Sequence, residues 1–283
     1  MKTYSDCIPC LAKQAIRLSR MVGLTTSKEE QVLREVLTTL SRTPYHYPPP
    51  YLGREVYRTI KGVSGIYDPY EGKKRLINER IAHLLPRIKL EIEEGDDPFN
   101  TALRFAIAGN AIDFGTERKI DFEKELKEAG EKPFVRDESK ELKKAIERAN
   151  TILYLGDNAG ETFLDKLFIS QFPAGKKVYY GVRGAPIIND ATKKDAEVAG
   201  ISEVAEIVEN GSDAPGTILD DCSVEFRDLF DTVDIVIAKG QGNYETLSEV
   251  KRDNVFFLLM VKCPVIANDI GCPLGGMVVA KKG

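Results

Sequence analysis

The alternation of short β-rich runs with helical patterns after residue 150 is the feature that most restricts the fold of this chain. Such alternation is typical of βαβ units, in which each helix returns the chain to a parallel strand. It predicts an α/β fold with a three-layer, Rossmann-like, mostly parallel sheet and helices on both faces. The predicted strands are residues 151–156, 177–182, 204–208, 234–238 and 255–261.

The first 149 residues have a different texture, because helical periodicity dominates them. Ser27 is the predicted N-cap of the helix KEEQVLREVLTTLSR, and another helical pattern is expected to end at Gly95. Pro48, Pro49 and Pro50 predict a rigid connector, with a proline-recognition ligand as the alternative. The predicted division is a helical N-terminal domain over 1–100, a helical segment over 101–149 that packs on or links to the sheet, and an α/β domain over 150–283.

Composition excludes several classes of function. The formal net charge is −4, which argues against nucleic-acid and membrane-surface partners, since both need a basic face. No apolar run reaches the roughly 18 residues that span a bilayer, and MKTYSDCIPC lacks the apolar core of a secretory signal. We therefore expect a cytoplasmic protein.

Three predicted strands end in polar or glycine-rich loops, which are GDNAGE at 156–161, VRGAPIIND at 182–190 and KGQGNYE at 239–245. The carboxyl ends of parallel strands share one edge, where open α/β sheets bind their ligands. Oxygen ligands for Mg²⁺ or a similar ion would meet cations and backbone N–H groups suited to phosphate there. The residues gathered at this edge are Asp157, Asn158, Arg183, Asp190, Lys239 and Asn243.

The helix after GDNAGE adds a positive helix end, and Gly160 would allow an anion to approach its backbone. Glu161 is either a first-turn acid favoured by the helix dipole or a general base that directs water. Arg183 and Lys239 are each either solvated surface charges or phosphate ligands. Gly240 and Gly242 flank the lysine loop and favour the second interpretation for Lys239.

Familiar nucleotide and hydrolase motifs are missing from the sequence. It contains neither the G-x-G-x-x-G dinucleotide fingerprint nor a G-x-x-x-x-G-K-[ST] phosphate loop. His46 and His83 are the only histidines, so a serine–histidine–aspartate hydrolase has little support.

Cys7 and Cys10 open a helical pattern as a C-x-x-C pair, and the chain has five cysteines in total. Three roles stay open for the pair: thiol packing, a metal site completed by Cys263 and Cys272, or redox exchange. A dithiol exchange site usually follows a strand, which this pair does not.

Six ordered motifs together resemble the metal-dependent damage-control phosphatase family, formerly a domain of unknown function, and its archaeal and bacterial branch in particular. The similarity covers nearly the whole chain. The motifs are CIPCLAKQA at 7–15, AGNAIDFG at 108–115, GDNAGE at 156–161, APIINDAT at 185–192, KGQGNYE at 239–245 and FLLMVKCPVIA at 257–267.

The resemblance implies roles for individual residues. Asp157, Asn158 and Asp190 match the family's ligands of a divalent metal, and Lys239 matches the lysine that approaches the substrate phosphate. Asn110 and Asp113, which the local pattern alone assigns to a helix end and its cap, become candidate substrate or metal contacts. The predicted catalytic residues are Asp157, Asn158, Glu161 and Lys239, and the predicted substrate contacts are Asn110, Asp113, Gly160, Arg183, Lys239, Gly240 and Asn243.

The activity implied is metal-dependent hydrolysis of small phosphomonoesters, such as sugar phosphates or phosphorylated cofactors, in metabolite damage control. Acid and amide oxygens suit Mg²⁺, Mn²⁺, Co²⁺ and Ni²⁺ alike. Asp157 either only holds the metal or also attacks phosphorus. Two other functions stay open: an S-adenosylmethionine-dependent protein carboxyl methyltransferase, as proposed for a eukaryotic branch of the family, and a non-catalytic protein that binds metal or sugar phosphate.

Overall fold

The structure is a computed structural model and describes residues 1–109, 128 and 130–282 of the chain. Up to residue 109 it is helical, as predicted. Of the helices described, none combines the length and apolar character needed to cross a bilayer. The helices of this part are α1 (Cys7–Met21), α2 (Thr26–Arg42), α3 (Pro49–Ser64), α4 (Glu71–Glu94) and α5 (Pro98–Ala108).

Two helix starts differ from the prediction. The N-cap of α2 is Thr25, whose side-chain oxygen accepts a first-turn N–H at 3.4 Å, whereas Ser27 lies inside the helix. α3 begins at Pro49, so Pro49 and Pro50 are its first helical residues and only Pro48 precedes it. Proline is favoured there because the first-turn N–H groups of a helix have no intrahelical acceptor and the φ of proline is already helical.

The described residues form one seven-stranded sheet with strands β1 (Phe134–Asp137), β2 (Thr151–Leu155), β3 (Lys177–Val182), β4 (Glu206–Glu209), β5 (Ile235–Lys239), β6 (Val255–Met260) and β7 (Met277–Lys281). The strand order is β1-β7-β6-β5-β2-β3-β4. From β6 to β4 every pairing is parallel, whereas β7 pairs antiparallel with β6 and parallel with β1. The mostly parallel α/β fold is therefore confirmed.

The sequence pattern did not indicate β1 or β7. β1 lies within 101–149, which was expected to be helical throughout, and its sequence FVRD ends in two charged residues. Four residues with half-exposed side chains leave no apolar run to recognise. β1 and β7 run against the other strands, so the βαβ rule did not apply to them.

Side chains of the strands alternate between two apolar layers. Ile235 and Ile237 of β5 pack on one face, while Val236 and Ala238 pack on the other. Lys239 is the next alternate residue after Ile235 and Ile237, so its side chain lies on the same face of the sheet as theirs, in the first apolar layer. That layer contains α4, α5, α6 (Ser139–Arg148), α7 (Thr162–Ile169) and α8 (Lys193–Val198), and the second contains α9 (Val224–Thr232), α10 (Gly240–Leu247) and α11 (Pro264–Ile270).

The first three helices bury a core of their own and also contact the strand-end loops. Lys61 of α3 donates to the Pro186 carbonyl at 2.8 Å, and Arg58 pairs with Asp213 at 2.7 Å. These contacts hold α3 against the loops that follow β3 and β4. The core consists of Leu11, Ala15, Leu18, Val32, Val36, Leu40, Leu52, Val56, Tyr57 and Ile60, joined by Ile187 from the loop after β3.

Candidate active site at the carboxyl edge of the sheet

The carboxyl ends of β5, β2 and β3 are adjacent in the sheet, so the three polar loops meet there. The Ala191 N–H donates to the Asp157 carbonyl at 2.7 Å, which joins the loop after β2 to the loop after β3. Asn158 and Asp190 form an isolated antiparallel bridge beside this hydrogen bond. The three predicted metal ligands are therefore neighbours.

Asp157 is nearly buried, with 9% of its surface exposed, and is enclosed by two other loops. The Asn158 side-chain amide donates to Asp157 Oδ2 at 3.1 Å and to Glu161 Oε1 at 2.5 Å. Gly240, the first residue of α10, lies so close that a Cβ built there would be 1.9 Å from Asp157 Oδ2. Its φ of 78° also lies in the left-handed region that favours glycine.

Lys239 is fully buried, and carboxylates hold its ammonium group. Its Nζ donates to Glu161 Oε2 at 2.9 Å and to Asp165 Oδ1 at 2.7 Å. Burial alone would lower the pKa of Lys239, but the negative charges of Asp165 and Glu161 raise it well above its usual range. Lys239 is therefore a permanent cation at neutral pH.

Asp165 was missed by the sequence analysis. It lies one helical turn beyond Glu161, on α7, and is fully buried. It also accepts hydrogen bonds from the Tyr154 and Tyr180 hydroxyl groups, each at 2.7 Å. These tyrosines are registered partners on β2 and β3. The spacing of Glu161 and Asp165 by four residues was the available signal, because it places both acids on one helix face.

Arg183 is buried at 1% exposure, so the solvated-surface interpretation is wrong. Its Nε donates to Asp190 Oδ2 at 2.7 Å, and a terminal nitrogen lies 3.4 Å from the Gly156 carbonyl. Burial raises the pKa of Asp190, and Arg183 opposes that shift. In this arrangement Arg183 orients Asp190, and the phosphate contact predicted for Arg183 stays a prediction.

Asn243 and Gly160 also have structural tasks, and the anion contacts predicted for them stay predictions. The Asn243 amide donates to the carbonyls of Gly156 at 3.2 Å and Lys239 at 2.7 Å, and its oxygen accepts the Thr217 hydroxyl at 2.8 Å. It therefore ties the end of β2 to the end of β5. A Cβ at Gly160 would lie 2.3 Å from Ile77 of α4, so helix packing explains that glycine.

Acidic side chains are concentrated at this site. Among the described buried residues, four carboxyl groups lie at this edge of the sheet together with the cationic side chains of Arg183 and Lys239. Burial, followed by the charges of Glu161 and Asp190, raises the pKa of Asp157 to about 8. The buried carboxylates are those of Asp157, Glu161, Asp165 and Asp190.

The profile of the damage-control phosphatase ARMT1-like domain matches residues 3–278 of the chain. The chain belongs to this family. The resemblance of the six motifs is thereby confirmed, and the motif-bearing loops after β2, β3 and β5 are those that meet at the site.

Members of the family align with the chain over nearly its full length. A protein named damage-control phosphatase from Pyrococcus horikoshii is 32% identical over 98% of this chain and 97% of its own. Another of that name from Archaeoglobus fulgidus is 34% identical over 98% of both chains. An uncharacterised protein of Methanocaldococcus jannaschii is 32% identical over 100% of this chain and 96% of its own.

The family fold extends to the whole structure. A crystal structure at 2.04 Å resolution of a Pyrococcus horikoshii protein of the DUF89 family has a TM-score of 0.92, with 30% identity and complete coverage of both chains. Strand topology and the N-terminal helices therefore belong to one shared architecture.

Two predicted family contacts, Asn110 and Asp113, lie outside the described residues. Across the described part, no group of three or more histidine, cysteine, aspartate or glutamate residues is arranged to hold a metal. Cys10 is exposed, while burial raises the pKa of the Cys7 thiol above its usual value. The predicted metal set is two acids and an amide.

Proposed function

We propose that this protein is a metal-dependent phosphatase that hydrolyses small phosphomonoesters, such as sugar phosphates or phosphorylated cofactors, in metabolite damage control. Two full-length relatives bear the name damage-control phosphatase, which supports the reaction class. The observation that carries the metal requirement is the adjacency of Asp157, Asn158 and Asp190, two buried acids and an amide that meet where the loops after β2 and β3 pair.

The donor set fits a divalent cation on charge and on ligand type. Buried carboxylates are costly unless cations compensate them, so a bound cation would stabilise the ionised forms of Asp157 and Asp190. Asp157 and Asp190 offer carboxylate oxygens and Asn158 offers an amide oxygen, which are the ligands of Mg²⁺ and similar ions. We infer that these three residues would hold Mg²⁺, Mn²⁺, Co²⁺ or Ni²⁺.

A metal bound there would polarise a phosphoryl oxygen and lower the pKa of a water molecule. The remaining tasks fall to the side chains. Lys239 uses two of its three ammonium donors on Glu161 and Asp165, and its third donor serves the phosphate. Glu161 lies one hydrogen bond from both Asn158 and Lys239, where it can take the proton of the attacking water.

The start of α10 contributes to anion binding. First-turn N–H groups of a helix have no intrahelical partner and carry partial positive charge. α10 begins at Gly240, directly after Lys239 and against Asp157. Substrate phosphate would therefore meet a helix terminus, a lysine and the metal ligands together, so the chemistry is mostly positioning and electrostatic stabilisation.

The test is phosphate release from a panel of sugar phosphates and phosphorylated cofactors, by chelator-treated protein resupplied with each of the four metals. Wild type should release phosphate only with metal, and Asp157→Asn should lose at least about 10²-fold in rate. Asp157→Asn should also melt no lower than wild type in chelator, because it removes one of four crowded buried acids.

Asp269→Asn is the control, since Asp269 is another aspartate that accepts a side-chain hydrogen bond, from the Tyr244 hydroxyl at 2.7 Å, but lies on α11, away from the cluster. Full activity in Asp157→Asn would contradict the proposal. Methyl transfer from S-adenosylmethionine to a protein carboxylate, with no phosphate released, would instead support the methyltransferase function.

A further inference from the structure

A buried polar triad lies behind Lys239. Asp165 accepts three hydrogen bonds of 2.7 Å, from the hydroxyl groups of Tyr154 and Tyr180 and from Lys239 Nζ. All four side chains have no exposed surface. They come from four separate elements, β2, β3, α7 and β5, so the fold converges on this one carboxylate.

Stability alone does not explain this arrangement. The two tyrosines lie in the apolar layer between the sheet and α7, beside residues such as Ile152 and Val178. Replacing a buried polar network by apolar side chains of similar volume is commonly neutral or stabilising. Phenylalanine would fill both tyrosine positions, yet the chain carries two hydroxyl groups that both donate to Asp165. The network therefore serves the group that Asp165 holds.

That group is the ammonium of Lys239. A lysine side chain has a flexible four-carbon stem, so one carboxylate contact alone fixes it poorly. Here Glu161 and Asp165, one helical turn apart, grip Nζ at 2.9 and 2.7 Å. Glu161 also accepts a hydrogen bond from the amide of Asn158, a predicted metal ligand, and so lies next to the predicted metal site. Asp165 instead accepts side-chain hydrogen bonds from the two tyrosines and from Lys239.

We propose that Asp165 is a positioning residue that fixes Lys239 as a charged phosphate ligand, and that Tyr154 and Tyr180 hold Asp165 in its ionised form. Asp165 acts through Lys239 and touches no substrate. The role assigned to Lys239 rests on the proposed phosphatase function, whereas the effect of Asp165 on the lysine itself does not.

The test compares Asp165→Asn, Tyr154→Phe and Tyr180→Phe with two matched controls, Asp269→Asn and Tyr179→Phe. Tyr179 neighbours Tyr180 on β3 but packs on the opposite face of the sheet. Asp165→Asn should lower kcat/KM by about 10²-fold, because the phosphate ligand loses its fixed position. Each Tyr→Phe variant should lose about tenfold, and the controls should match wild type.

The pH profile separates positioning from a merely structural role. The charged groups facing Lys239 are Glu161 from the turn before α7 and Asp165 from α7, with Tyr154 and Tyr180 behind Asp165. Asp165→Asn removes one of the two carboxylates that favour the charged lysine, so the alkaline limb of kcat/KM should move to lower pH. An unmoved limb with full folding would overturn the proposal.

A second readout is independent of activity. Nuclear magnetic resonance of lysine-labelled protein reports the titration of Lys239, assigned by the loss of its signal in Lys239→Arg. Lys239 should titrate at lower pH in Asp165→Asn than in wild type, even if wild type releases no phosphate and the proposed function fails. Identical titration would overturn the proposal. If Asp165→Asn does not fold, full activity and unchanged lysine titration in Tyr180→Phe overturn it instead.

Discussion

At the scale of single residues, Gly240 is the glycine, among those described, where a side chain is least tolerable, because its φ is left-handed and a Cβ there would overlap the carboxylate of Asp157. Gly240→Ala should cost about 1–2 kcal/mol for the left-handed backbone alone. It should cost a further 1–3 kcal/mol, roughly, for the overlap with Asp157, and displace that carboxylate. Denaturant unfolding measures the loss of stability, and metal-dependent phosphate release measures the effect of displacing the Asp157 carboxylate.

Gly271→Ala is the control for that substitution, because Gly271 has a φ of 70° with nothing within 4 Å of an added Cβ. Gly271→Ala should lower the free energy of unfolding by the backbone contribution alone and should retain activity. Equal stability and activity in the two variants would contradict the contact between Gly240 and Asp157.

Asp157 also predicts how stability depends on pH. Its folded pKa is about 8, far above the value near 4 expected of the unfolded chain, so the folded state binds more protons in between. The stability contributed by this group is present below about pH 4 and is lost as pH rises toward 8, at up to about 1.4 kcal/mol per unit. The pKa values of Asp165 and Asp190 are also raised, which acts in the same direction.

Thermal unfolding in chelator between pH 5 and pH 8 measures this dependence. The melting temperature of wild type should fall as pH rises, and the decline should be shallower in Asp157→Asn. Saturating divalent metal should reduce the decline by compensating the ionised acids. Parallel curves for wild type and Asp157→Asn would show that this carboxylate is not strained.

Residues at or after the carboxyl ends of strands could be predicted from the sequence, whereas Tyr154 and Asp165 could not. Asp157 and Lys239 stand where an apolar run ends and Asp190 lies in the loop after β3, so their position on the ligand-binding edge follows from the topology. Tyr154 and Asp165 lie within a strand and a helix whose patterns look apolar. Their function depends on a pairing across elements that no local pattern contains.

At the scale of elements, Asn243 on α10 joins the ends of two strands. Asn243→Ala removes hydrogen bonds to the Gly156 and Lys239 carbonyls and leaves buried polar atoms unsatisfied. We expect a loss of about 1–3 kcal/mol in the free energy of unfolding. Activity should fall by about 10²-fold, because Asp157 and Lys239 lose their common brace.

Denaturant unfolding and phosphate release with saturating metal measure these effects. Asn268→Ala is the comparison, since Asn268 is an exposed residue of α11. Wild-type activity in Asn243→Ala would contradict the claim that Asn243 positions Asp157 and Lys239.

The elements themselves were predictable where periodicity is strong. The five parallel strands follow from β-rich runs between helical patterns, whereas β1 has only Phe134 and Val135 before two adjacent charged residues. α3 begins at Pro49 because proline suits the first turn of a helix. The sequence prediction treated the three prolines only as a rigid connector and so did not use this preference.

At the scale of the whole molecule, the sheet brings three loops together and α3 packs against two loops at the same edge. Lys61 and Arg58 of α3 hold the segments around Pro186 and Asp213. The helical N-terminal part is therefore tied to the loop that carries Asp190. Sequence patterns separated the helical part from the sheet, but only the fold connects that part to the site.

The central claim is that the acid-rich cluster at the sheet edge works with a divalent metal to hydrolyse phosphomonoesters. The most direct measurement is the rate of phosphate release by chelator-treated protein as one divalent metal is titrated in, with a substrate from the panel. We predict no release without metal, saturation near one equivalent per chain, and loss of the response in Asp157→Asn. A full rate in excess chelator, or an undiminished response in Asp157→Asn, would contradict the account.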